Sequence, residues 1–189
     1  MAFIYPGSEI AVFSGDVLSG LTAGDASVYP GIVVESGGTV INTNLSTSGY
    51  LELDPGAVAI GVVDSGGKVL VDGAVLSDTQ VATGGVVGVE AGGVAINTSL
   101  SGTTSVILGS AVLDIGAGGS AIGTLVFSGG VETVSSGGVA NGTTVSSGGV
   151  QGVLSGGVAI DTTVSAGGTE GINDRSIVSG LAILNGGIF

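Results

Sequence analysis

Apolar residues in this chain come in short runs, and the same slots turn apolar again every 18 or 19 residues. One aliphatic column holds Val134, Val153 and Ile172 and continues backwards through Leu53, Val71, Val89 and Ile115. A second holds Val145, Val164 and Ile183, and a column of small residues holds Ala95, Ala121, Ala140 and Ala159. Eleven Gly-Gly pairs cut between the runs. Those beginning at Gly118, Gly129, Gly137, Gly148, Gly156 and Gly167 alternate at spacings of 11 and 8, and Gly186 follows 19 residues later. Self-similarity at a fixed short period is the signature of a solenoid.

Val, Ile and Thr in runs this short favour half-buried strands. Glycine at this density costs a helix about 1 kcal/mol per residue relative to alanine, and it supplies the positive-φ corners that a repeatedly turning chain needs. Three units show the pattern: GGVETVSSGGVANGTTVSS from Gly129, GGVQGVLSGGVAIDTTVSA from Gly148 and GGTEGINDRSIVSGLAILN from Gly167. Each unit predicts one coil of two or three short strands, every strand pairing parallel and in register with its equivalent in the next coil. The fold class expected is all-β, a single-stranded parallel β-helix of about ten coils of 18–19 residues. At ~4.8 Å per coil it makes a rod about 45 to 50 Å long. Residues 1–36 are expected to form an N-terminal cap and first coil, 37–117 irregular coils, and 118–189 the regular 19-residue repeat. The segment from Ser99 to Ala111 breaks phase and reads as an enlarged corner.

Thr43, Thr79, Thr98, Thr124, Thr143 and Thr162 share one slot, with Asn42, Asp78, Asn97 and Asp161 just before it. This reads as a hydroxyl ladder flanking the turns, where Asn and Asp side chains accept hydrogen bonds from nearby amides. The alternative is an ice-binding face, against which stands the raggedness of the neighbouring slot (Thr144 and Thr163 against Asn44, Ser99 and Leu125).

Composition narrows the chemistry. The formal net charge is −13, with fifteen acids against Lys68 and Arg175. Phosphate neutralisation needs many cations, so nucleic acid is excluded as a partner. The acids are dispersed, as on a solvated surface that keeps chains apart, with a cation-binding surface as the alternative. Mean hydropathy is +0.73, yet no stretch reaches the roughly 18 to 20 apolar residues of a membrane span. With no His and no Cys, triads, thiol catalysis and imidazole or thiolate metal sites fall away, and no catalytic, cofactor-binding or metal-binding residue is expected. Arg175 beside Asp174, with Asp161 and Glu170 nearby, is the single constellation resembling a polysaccharide-lyase centre, and it makes an enzyme the least favoured reading. The N-terminus lacks a basic region and a continuous apolar region, so no standard signal peptide is expected. No translocator barrel is expected in a chain of 189 residues.

The stretches SSGGV, NGTTVSSGG and IDTTVSAGG within 129–168 resemble the AIDA-type autotransporter adhesin repeat, a module of about 19 residues. The opening from Ser14 to Leu45 is similar to the start of such repeat regions. The resemblance implies a right-handed parallel β-helix displayed on a Gram-negative surface, with adhesion or cell–cell aggregation as its work. It also implies O-glycosylation with heptose on Ser128, Ser136, Ser147 and Ser155, each preceding a Gly-Gly.

The function expected is that of a non-enzymatic, extracellular or cell-surface structural protein whose principal partner is itself. Phe3, Ile4 and Tyr5 at one end and Ile188 and Phe189 at the other are the residues expected to stack copies head to tail into filaments. An adhesin that binds a cell-surface glycan or host surface through a lateral face is the alternative.

Overall fold

The computed structural model describes residues 9–24, 30–103 and 109–189. All regular structure among them is strand, arranged as three parallel sheets of nine strands each. One coil shows the plan. Val150–Val153 lies in sheet 1, Val158–Ile160 in sheet 2 and Thr163–Val164 in sheet 3, and the chain then returns to sheet 1 at Thr169–Ile172. Successive coils stack in register, so Val153 lies between Val134 and Ile172, and Ala159 between Ala140 and Val178. Nine turns are complete, and a bridge from Thr169 to Ile188 begins a tenth.

Parallel strands alternate their side chains inward and outward, and the inward slots of the three sheets meet on the axis. Sheet 1 contributes two inward slots. One runs Val12, Val34, Leu53, Val71, Val89, Ile115, Val134 and Val153, all buried, and ends at Ile172. Sheet 2 contributes a slot that is largely alanine, and sheet 3 one that is largely valine and leucine. The expected aliphatic and small-residue columns are therefore the core, except in the last coil, where Ile172 and Ile183 are exposed.

The corners are laddered as well as the strands. The Gly129 amide donates to the Gly148 carbonyl at 3.1 Å, Gly148 to Gly167 at 2.8 Å and Gly167 to Gly186 at 2.8 Å. The two members of a Gly-Gly pair do different work. Gly167 has φ +75°, where a side chain is strained; Gly168 lies so close to the coil below that a Cβ would sit 2.6 Å from the Val145 carbonyl oxygen. In the last full coil Arg175 takes the first-glycine role with φ +64°, and its carbonyl accepts from the Gly156 amide at 3.2 Å.

The phase break also has its place. Sheet 3 ends at Leu100 and sheet 1 resumes at Ala111, so the extra residues enter at the corner between those sheets; 104–108 lie outside the described residues.

Candidate functional site

The second inward slot of sheet 1 changes character along the rod. It runs Ile10, Ile32, Leu51, Val69, Val87 and Leu113, then Glu132, Gln151 and Glu170. All three polar residues are buried, at 1% exposure or less. The Gln151 amide Nε2 donates to Glu132 Oε2 at 2.6 Å, and the Thr143 hydroxyl donates to the same oxygen at 2.9 Å. The Thr162 hydroxyl donates to Gln151 Oε1 at 3.0 Å. Glu132 Oε1 and both carboxyl oxygens of Glu170 have no protein partner.

The threonine slot supplies the other half of this column, and here the expected turn ladder is corrected. Thr43, Thr79, Thr98, Thr124, Thr143 and Thr162 are all buried and point into the core. The hydroxyls of Thr43, Thr79, Thr98 and Thr124 have no hydrogen-bond partner. Two-residue strands such as Thr144–Val145 put Val145 inside and Thr144 outside, so alternation puts Thr143 inside again. A buried threonine column offers no ice-binding face. The corner residues Asn42, Asp78, Asn97 and Asp161 stay exposed with φ near +54°, and Asn97 Nδ2 donates to Asp78 Oδ1 at 3.1 Å.

Burial pushes the Glu132 carboxyl above its ordinary range, against the hydrogen bonds from Thr143 and Gln151 and the nearby Thr124 hydroxyl, which pull it down. Burial also raises Glu170, and the Glu132 charge adds to it. Asp64 stands alone in sheet 3, in the slot filled by Leu45 below and Val81 above. Its Oδ1 accepts from the Gly67 amide at 2.7 Å and its Oδ2 from the Val86 amide at 3.0 Å, which ties one coil to the next. Burial pushes Asp64 up to about 6, although both amides pull the other way. Lys68 and Arg175 are exposed, so neither cation compensates the buried acids.

Neither the depression lined by Ser155 and Arg175 nor the one lined by Glu52 and Asp72 includes any of these acids. Among the described residues no group of three or more His, Cys, Asp and Glu is placed to hold a metal ion. Arg175 and Asp174 are exposed and line a shallow surface depression with Ser155, Ile172 and Asn173, while Glu170 is buried and Asp161 belongs to a different corner. The lyase-like constellation is not brought together. No helix among the described residues is long and apolar enough to cross a membrane.

Ser128, Ser136, Ser147 and Ser155 are all exposed. Ser136 and Ser155 lie on the corner between sheets 1 and 2, and Ser128 and Ser147 on the corner between sheets 3 and 1. They form two ridges flanking sheet 1. The Ser147 hydroxyl covers the next coil's glycine: a Cβ on Gly167 would lie 2.7 Å from it. The serine ridge and the glycine beat are thus one feature seen from adjacent coils. Ile188 and Phe189 are 55% and 76% exposed. Phe3, Ile4 and Tyr5 lie outside the described residues.

The buried polar column was legible in principle. Alternation from Val134 puts Glu132 inside, and the 19-residue period carries Glu132 onto Gln151 and Glu170. Asp64 was hidden because Asp-Ser-Gly-Gly reads as a turn.

Scans against protein-family models and curated proteins find no match. Among solved structures, the chain is similar to a TibC-catalysed, hyper-glycosylated fragment of TibA. The two share 29% identity with a TM-score of 0.52, over 94% of this chain and 76% of that one.

Proposed function

We propose that this chain is a non-enzymatic repeat rod of the bacterial cell surface, an adhesin-like segment that associates with other copies of itself and so holds cells together. The likeness to the glycosylated TibA fragment over almost the whole chain carries this reading. The continuous three-sheet stack supports it, since its inward polar groups are buried away from any substrate. End-to-end contact through Ile188 and Phe189 is one mode of that association. The test is to display the chain on a non-aggregating bacterium and follow settling. Clumping that depends on the displayed rod is expected; cells that settle like those without it contradict the reading.

The same likeness extends to modification. Ser128, Ser136, Ser147 and Ser155 are the proposed O-glycosylation sites, each exposed on a ridge flanking sheet 1. Incubation with TibC and its sugar donor, followed by peptide mass spectrometry, is expected to find added mass on peptides carrying these serines. Unmodified peptides contradict the assignment without touching self-association.

A further inference from the structure

The outer face of sheet 2 is the most apolar of the three. Its nine three-residue strands each present two outward positions, and none of the eighteen is charged. Twelve are Val or Ile, the remainder Ser, Thr and Asn. Coils such as those carrying Val58 and Ile60, Val94 and Ile96, and Val158 and Ile160 set both outward positions apolar. These side chains stack into two columns along the rod and remain half-buried or exposed, Val17 and Ile177 at 63% and 61%. Sheet 1 offers no equivalent, because its outer face carries Glu52, Lys68 and Asp114. An extended apolar strip with polar rims marks an interaction surface.

We propose that this face is where two copies of the chain pack side by side. The inference rests on the self-association proposed above and names its surface. Three observations favour a second copy as the occupant. The first is period: a partner must match side-chain rungs repeating at ~4.8 Å along the rod, and an identical face turned about a two-fold axis does so, with the sheets ~10 Å apart. The second is charge. With fifteen acids against two bases, two copies repel one another, and here they close without desolvating a charge at the centre of the contact. The third is area. Nine strands ~4.8 Å apart and three residues of ~3.3 Å give a footprint of about 400 Å² per copy before side-chain relief is counted. Two such faces approach the ~1,000 Å² that a specific interface requires. A contact of that size is weak, as suits adhesion through many rods acting together.

The rim sets the response to salt. Asp16, Glu35, Asp54, Asp72 and Glu90 lie along or beside the corner between sheets 1 and 2, and pairing brings two such rims closer. Screening therefore tightens the pair, where an interface held by salt bridges loosens.

Sedimentation velocity of the chain between about 0.05 and 0.5 M NaCl tests the proposal. The expected result is self-association that strengthens several-fold with salt. The combined substitutions Val94→Glu, Ile96→Glu and Val158→Glu are expected to weaken it tenfold or more. A gentler pair, Ile96→Thr and Ile160→Thr, keeps β-propensity and is expected to weaken it less; circular dichroism and thermal melting of both variants check the fold. Thr144→Glu with Thr163→Glu, outward on sheet 3, is expected to leave association unchanged. If the unsubstituted chain associates and every folded sheet 2 variant associates equally, this face is wrong and self-association by another route stands. If the unsubstituted chain stays monomeric at every salt level, self-association itself fails and the proposal with it. A monomeric chain that binds phosphatidylcholine vesicles through sheet 2 assigns the face to lipid and overturns the proposal.

Discussion

Six coils and three coils of this rod share one backbone and differ in one interior slot. From Ile10 to Leu113 the slot is aliphatic; from Glu132 to Glu170 it is acid, amide and acid. The polar stretch falls where the glycine beat is strictest. Period and interior chemistry are therefore separable: glycine corners and parallel pairing set the coil, and the slot then accepts either leucine or a hydrogen-bonded polar chain. What the polar version lacks is a full set of partners, since three carboxyl oxygens stay unpaired.

Cavity formation gives the largest test of that contrast. Leu113→Ala, in the aliphatic stretch, is expected to cost about 2–5 kcal/mol in chemical denaturation, because the stacked coils above and below cannot collapse into the gap. The next effect has the opposite sign. Replacing Glu132, Gln151 and Glu170 together by leucine extends the aliphatic column and is expected to gain about 1–4 kcal/mol, as when buried polar networks give way to packed side chains. A loss of stability in that triple variant breaks the comparison and makes the polar column the tighter packing.

Acid sharpens the comparison further. Asp64, Glu132 and Glu170 all have carboxyls raised in the folded rod, so the folded state holds protons that the unfolded chain has released. Their contribution is full below the unfolded carboxylate range and is lost as pH rises through the folded values, which for Asp64 means between about pH 4 and about 6. The thermal midpoint is expected to rise as pH falls from 7 towards 4, where most proteins with ion-paired carboxylates weaken. The triple leucine variant is expected to retain only the part of this rise due to Asp64 and to relief of surface repulsion, and Asp64→Asn to remove the Asp64 part. A midpoint that falls steadily with acid in the unsubstituted chain contradicts the raised carboxyls.

The smallest effect lies at a corner. Asp78 has φ +53°, so Asp78→Ala is expected to cost about 1 kcal/mol and Asp78→Gly only a few tenths.

Much of this architecture could be read from residue spacing, because in a parallel stack one period fixes both register and core. Val134, Val153 and Ile172 fall on one column for that reason, and the phase break after Ser99 falls at a corner for the same one. The threonine slot was placed on the turn because Asn and Asp precede it; strand alternation, which governs even two-residue strands, puts it inside. Asp64 escaped because a carboxyl that satisfies two amides from within the core has the local sequence of a turn. The outer strip of sheet 2 was equally hidden: a Val-x-Ile run reads as core whichever way it faces, and only the shared axis decides.

The central claim is that equivalent slots rise along one axis, one coil at a time. The chain has no cysteine, so paired spin labels can be placed at will on sheet 3, at Gln80 with Thr163 and at Asn44 with Thr163. These pairs are four and six coil steps apart, and the backbone separations expected at ~4.8 Å per step are about 19 and about 29 Å. Distances that grow with coil number support the account; equal distances, or a shorter one for the Asn44 pair, contradict it.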